Sequence, residues 1–255
     1  MGSTTKTNVL LAAALLAAAI GGAQAACGSS DGGSGFDGQD AAADGAPVDG
    51  LVSIDVTPAE VSLVAGDTNQ AQTFTATGHF GDGTTKDVTS QVAWKASPDA
   101  VAGAQGPTVT PTGTQGGEAT VSAFAGAVTG TAKIHVKWVK TVLAMGAAPG
   151  SDARFKGTTE DATLAPKVAY PFDGTLVPPN LPTMEVQWAP AAGTDLFDVA
   201  VSGDTLDLHI ITPCNAIGAG CGLVPDATTW QGVTATLGGA PPANVVVRGA
   251  GATAG

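Results

Sequence analysis

The stretch FTATGHFGDGTTKDVTSQVAWKAS, residues Phe74–Ser97, decides the fold class of this chain. Its first part alternates apolar and polar residues up to Phe80, and the segment GDGTTKD that follows is rich in turn-forming residues. A second strand-length run, QVAWKAS, comes after that segment. Alternation bounded by Gly and Asp is typical of half-buried β-strands.

The same pattern recurs on both sides of this stretch, in LVSIDVTP, GGEATVSAF and AGAVTGTAKIHVK. In the last run Ile134 and Val136 face one way, while three residues face the other: Lys133, His135 and Lys137. This arrangement predicts a strand with one face on a core. Only 13% of the residues are charged and 36 are Gly, which favours short strands and turns over long exposed helices. We therefore predict an all-β fold.

Three stretches carry a resemblance to the group 2 bacterial immunoglobulin-like domains. VSIDVTPAEVSLVAGDT resembles the first strands of that family, and FTATGHFGDGTTKDVTSQVAWKAS resembles its most specific part. GEATVSAFAGAVTGTAKIHV is similar to the closing hairpin. The resemblance covers residues 51–137 and implies a seven-strand β-sandwich with Trp94 in its core. The less regular segment GAQGPTVTPTG, 103–113, departs from the family's usual turn.

A second β-sandwich is predicted over residues 166–255, after an interdomain segment, 138–165, in which WVKTVLAM is a candidate strand. DLFDVAVSGDTLDLHIIT predicts a hairpin whose apolar face holds three residues: Leu206, Leu208 and Ile210. LPTMEVQWAP followed by DLFDVAVS resembles strands B and C of fibronectin type III domains, with Trp188 as the strand-B core residue. WQGVTATLGGAPPANVVVRGAG resembles the approach to strand F and strand F itself.

On this alignment Asn244 to Arg248 form strand F, and the closing strand G is missing. The sandwich is then expected to have an open edge, which natural domains avoid. The expectation is that the chain is a fragment of a larger protein with a further module downstream. The predicted architecture is two immunoglobulin-like or fibronectin-like β-sandwiches in series, after a signal peptide and a disordered linker.

The N-terminus is typical of an export signal. Lys6 precedes the apolar run VLLAAALLAAAI, whose twelve residues make about 18 Å of helix, too short for a bilayer core of about 30 Å. Small residues follow, which predicts a signal peptide over 1–26. Cleavage before Ala26 fits a general signal peptidase. Alternatively, QAAC resembles the lipobox of bacterial lipoproteins, in which Cys27 is lipidated, although Gln24 stands where that family prefers an aliphatic residue.

The linker 27–50 is acidic and rich in Gly, Ser and Ala, so it cannot bury enough apolar surface to order itself. Cys214 and Cys221 lie in CNAIGAGC, and in an exported protein they are predicted to form a disulfide, leaving Cys27 unpaired. The alternative for the pair is a metal site, but two thiolates without a third ligand nearby do not complete a zinc shell.

Sequence motifs for catalysis are lacking. The formal net charge of −12 argues against nucleic-acid binding. None of His79, His135 and His209 stands in a zinc-hydrolase spacing, and no nucleophile elbow or phosphate loop occurs in a suitable context. We therefore expect no enzymatic activity, cofactor or metal. An interdomain calcium site is the alternative for one group of carboxylates: Asp152, Glu160 and Asp161.

Trp138 and Trp230 are the candidate ligand contacts, because an exposed Trp can stack on a sugar; interdomain or edge packing is the alternative. The expected function is that of a non-enzymatic cell-surface lipoprotein, on the outer membrane or cell surface, serving as a spacer or adhesion module. The alternatives are a polysaccharide- or protein-binding module acting through end loops 79–87 or 214–222, and an accessory region of a larger secreted protein. Secreted or periplasmic localisation is the alternative to anchoring.

Overall fold

A computed structural model describes residues 7–11, 45–157, 161, 165–178 and 180–251. Strands dominate these residues, as predicted, with one α-helix among them. Eleven strands lie in the described residues of the N-terminal part: β1 (Thr7–Leu11), β2 (Leu51–Thr57), β3 (Glu60–Gly66), β4 (Gln72–Thr73), β5 (Thr75–Phe80), β6 (Thr85–Asp87), β7 (Ala93–Ser97), β8 (Ala102–Gln105), β9 (Thr108–Pro111), β10 (Gly117–Ala125) and β11 (Val128–Leu143).

The C-terminal part begins with a 3₁₀ turn, Ser151–Phe155. Its remaining elements are β12 (Lys167–Tyr170), β13 (Thr175–Val177), β14 (Val186–Ala189), β15 (Thr194–Ser202), β16 (Leu206–Pro213), β17 (Asn215–Ile217), β18 (Gly220–Leu223), helix α1 (Ala227–Leu237) and β19 (Ala243–Gly251). Among the described residues, no helix combines the length and the apolarity needed to cross a membrane.

One nine-stranded sheet runs through the described molecule, in the order β13–β1–β19–β15–β16–β11–β10–β7, with β3 also paired to β11. Separate smaller sheets complete the layers: β2–β5–β6, β4–β9–β8 and β12–β14–β18–β17. The two predicted sandwiches are therefore joined through a common sheet, and each has its own cluster of buried apolar residues.

The first core is built from small and β-branched side chains around Phe74. Ile134 and Val136 are fully buried, as the alternation in their strand predicts. Trp94, expected in this core, is only partly buried and packs at its rim, where its ring centroid lies 6.5 Å from that of Phe74. Its Nε1 donates to the Thr89 carbonyl oxygen at 3.0 Å, and a partly buried position lets the indole keep this polar contact.

The second core contains the large aromatic residues. Trp188 is buried in β14, as predicted, with its ring centroid 5.2 Å from that of Phe197. The predicted hairpin is present as β15–β16, closed by the Gly203 amide, which donates to the Leu206 carbonyl oxygen at 2.9 Å. At one end of this sandwich a disulfide joins Cys214 to Cys221, and such a short loop stabilises the fold by about 2–3 kcal/mol.

Residues 227–237 form α1, whereas the fibronectin resemblance implies that the stretch from Trp230 onward is the approach to strand F. Asp226 caps the helix by accepting from the Thr229 amide at 2.9 Å, and the Thr229 contacts hold the pKa of Asp226 below its usual value. Trp230, Val233 and Leu237 recur on the buried face of the helix. Its Thr and Val content resembles that of a strand, which is why the pattern was misleading.

Two segments that the sequence left irregular or ambiguous contain strands in the structure. The irregular segment 103–113 contains part of the β8–β9 hairpin, and WVKTVLAM contributes the end of β11 rather than a separate strand. Cys27 and the linker as far as residue 44 lie outside the described residues. The edge of β19, expected to be open, is paired with β1, a segment that the sequence assigns to the signal peptide.

Candidate functional site

The junction between the two cores is built on one continuous strand. The first part of β11 pairs antiparallel with β10 and parallel with β3. From Trp138 to Leu143 the same strand pairs parallel with β16, from Leu206 to Ile211. The predicted boundary after residue 137 thus falls inside an unbroken strand, and the hydrogen-bonded ladder passes from one core to the other.

Trp138 lies at the point where β11 changes partners. It is only 2% exposed, and its Nε1 donates to the Gly113 carbonyl oxygen at 3.0 Å. Its backbone amide donates to the Thr205 carbonyl oxygen at 2.8 Å. The far edge of the indole contacts α1 at Gly232, where an added Cβ would lie 2.4 Å from Trp138 Cη2. The glycine therefore provides the space that the ring occupies.

A second set of contacts flanks the indole. The buried Gly116 amide donates to Thr236 Oγ1 at 3.0 Å, which ties the start of β10 to α1. On the opposite side, the Thr141 amide donates to Asp67 Oδ2 at 2.9 Å, and the Asp67 amide donates to the Val139 carbonyl oxygen at 3.1 Å. The junction is thus held by backbone groups as well as by apolar packing.

The two candidate sugar contacts are both buried, so the expectation of an exposed stacking face is not met by this geometry. Trp230 is 4% exposed, and its Nε1 donates to the Leu181 carbonyl oxygen at 2.7 Å. Trp138 is 2% exposed and packs against α1 at Gly232. Both indoles serve the alternative role, packing, because stacking on a sugar needs an accessible ring face.

A pocket of about 320 Å³ opens beside the junction. Its polar lining includes Gln115, Lys140 and Gln231, and Trp138 is also among the lining residues. Its volume lies at the lower end of the range for small-molecule pockets. We assign no ligand to it.

A charged cluster crosses the outer face of the second sandwich. Asp198 in β15 is 1% exposed, and it accepts from Arg248 Nε at 3.1 Å and lies 2.9 Å from His209 Nδ1. The Arg248 guanidinium also stacks over Phe155, at 5.6 Å. A buried carboxylate needs such partners, so the cluster ties β16, β15 and β19 together.

The hydrogen bond with Asp198 raises the pKa of His209 above its usual value. Burial of the ring acts in the opposite direction and lowers this pKa. Asp207 adds a further attraction for the protonated ring and the Arg248 charge opposes it. The alternation in its strand predicts only that His209 points away from the apolar face. The sequence signal for the cluster is Asp198 itself, a carboxylate within the apolar run of β15.

The residues considered for calcium do not form a site in the part of the chain described. No group of three or more His, Cys, Asp and Glu side chains there could hold a metal ion. Asp152 instead pairs with Lys156 at 2.7 Å, a hydrogen bond that holds the pKa of Asp152 below its usual value. Glu160 lies outside the described residues.

Comparisons with known proteins add no identification: no protein-family model matches the chain, and no curated protein matches it.

Because Trp138 packs closely against α1, we predict that a methyl group added at Gly232 destabilises the fold, whereas one added at Gly103 does not. Gly232→Ala places a carbon against the indole and the Thr114 carbonyl oxygen, and we expect unfolding to become easier by about 1–3 kcal/mol. Gly103→Ala is the matched control, because a Cβ there has open space and its backbone is not left-handed. Urea denaturation measures both variants; equal stabilities would contradict the packing described.

The contacts of His209 predict a pH-dependent stability. Because its pKa is raised on folding, the protonated ring contributes fully below the unfolded value of 6.5, and the contribution is lost as pH rises through the folded value. We expect His209→Gln to lose more stability at about pH 5.5 than at about pH 8.5. An NMR titration of the ring should give a midpoint above 6.5; a midpoint below it would contradict this assignment.

Proposed function

We propose that this chain is a non-enzymatic cell-surface lipoprotein that acts as a rigid spacer or adhesion stalk. The observation that carries the proposal is the continuous β11, which serves both cores and buries Trp138 at the point of exchange. Domains linked by small or polar interfaces normally move relative to one another. Here, bending would have to break the β11 ladder or expose the indole, so the two sandwiches hold a fixed spacing.

At the family level, we propose that residues 51–137 form a group 2 bacterial immunoglobulin-like domain and that the second sandwich is of fibronectin type III type. The placement of the strands supports the second assignment. The candidate strand B, β14, lies in one sheet, while the candidate strands C and F, β15 and β19, are neighbours in the other. Immunoglobulin-like sandwiches distribute strands B, C and F in this way.

The rigidity of the junction can be measured directly. Nitroxide labels at Thr85→Cys and Lys167→Cys, in a chain that also carries Cys27→Ser, report the distance between two exposed positions on different sandwiches. We expect one narrow distance distribution, which broadens in Gly232→Leu because the leucine displaces Trp138. Gly103→Leu is the control. A parent distribution as broad as that of Gly232→Leu would contradict a rigid spacer.

Anchoring is proposed to occur through a lipid on Cys27, with the acidic residues that follow as the tether. In cells fed labelled palmitate, we expect the parent chain to be labelled and to sediment with membranes. Cys27→Ser should be unlabelled and released. Gln24→Leu, which brings the lipobox closer to the family pattern, should keep the label. A soluble parent species beginning at Ala26 with a free thiol would overturn this proposal.

A further inference from the structure

At the edge of the second sandwich, strand β1 lies between β19 and β13 and pairs with both. On one side, β19 pairs antiparallel with β1, with Thr7 opposite Val245 and Val9 opposite Ala243. On the other side, β13 pairs parallel with β1, with Val9 opposite Thr175 and Leu11 opposite Val177. A single five-residue strand thus bridges two elements that do not pair with each other.

Both neighbours of this position are edges that need covering. β19 is paired with β15 along almost its whole length, so its other side carries the unpaired backbone groups that a sheet edge presents. β13 has only three residues, and within the described part of the chain β1 is its only sheet partner. Removing β1 leaves both strands with unsatisfied backbone donors and acceptors.

The position also lies at the margin of the second core. Val245 and Ala243 of β19, and Val177 of β13, are buried members of that cluster. Without β1, the position between β13 and β19 would be open, and water would reach the backbone of these buried residues. The strand therefore protects apolar packing in addition to forming hydrogen bonds.

We propose that the position between β13 and β19 is a strand-acceptor site, and that its occupant is Thr7–Leu11 of the same chain. In the unprocessed chain, the segment assigned to the signal peptide would then also serve as the closing strand of the second sandwich, and the processed form beginning at Cys27 would lack that strand. Its sequence, TNVLL, has no charge, Gly or Pro, and is compatible with an extended strand. Removal of the leader would open the acceptor site to another extended segment.

The chain is long enough for this connection. The described structure resumes at Gly45, whose carbonyl oxygen accepts from the Gly126 amide at the far end of the first sandwich. From there to the position between β13 and β19 is roughly 40 Å, taking the strand rise and the spacing between neighbouring strands. The 33 residues 12–44 reach about 100 Å when extended, so the same molecule can supply its own strand.

The experiment uses the full, unprocessed chain and hydrogen exchange. In Val9→Pro, the proline removes a backbone donor in the middle of β1, and we expect exchange in residues 243–245 and 175–177 to rise at least about tenfold. Ala18→Pro, placed outside the strand, is the control. Exchange in β10 reports that the variant is folded and should not change.

A peptide of residues 5–13, added to the Val9→Pro chain, should restore the protection of both segments, whereas the same peptide carrying the proline should not. Unchanged exchange in Val9→Pro, with no effect of the peptide, would overturn the strand-acceptor site. Elution of the parent chain as a dimer that Val9→Pro converts to a monomer would overturn the same-chain occupant, because a second copy would then donate the strand.

Discussion

The contact between the Trp138 indole and the backbone of α1 is the interaction on which the rest of the structure depends. It lies where β11 exchanges its first-sandwich partners for β16, so it fixes the direction in which the shared strand enters the second core. Truncating a buried aromatic residue typically costs about 3–5 kcal/mol. At this position the loss would act on both cores, because the same strand belongs to each.

The chain has few aromatic residues, and the two cores differ in how many of them they bury. The first packs Val, Ala and Ile around Phe74 and leaves Trp94 at its rim. The second concentrates Trp138, Trp188 and Trp230 on one side of the sheet, while the Asp198 cluster binds the strands together on the other. The sheet of the second sandwich is thus held by apolar burial on its inner face and by ionic hydrogen bonds on its outer face, which respond differently to pH.

The sequence predicts what depends on local periodicity. Alternation places Ile134 and Val136 in the core, and the hairpin signal places Leu206 and Leu208 on one face, because strand geometry alone decides these positions. Local periodicity does not predict the junction between the cores. There the Gly116 amide donates to Thr236 Oγ1, 120 residues away, and no local pattern encodes this pairing. One local signal was available, since a glycine within α1, at Gly232, carries a propensity cost that implies a packing reason.

Thr7–Leu11 can serve as a strand because a signal peptide and a closing strand need similar residues. A signal peptide needs an apolar, uncharged segment near the N-terminus, and a closing strand beside Ala243 and Val245 needs the same properties in an extended form. Covalent linkage also favours the strand over a competitor, because a tether converts docking into an intramolecular event with a high effective concentration. Once the linkage is cut, the same hydrogen bonds must overcome the full entropy of association, so processing of the leader would weaken its hold on β19 without changing any contact.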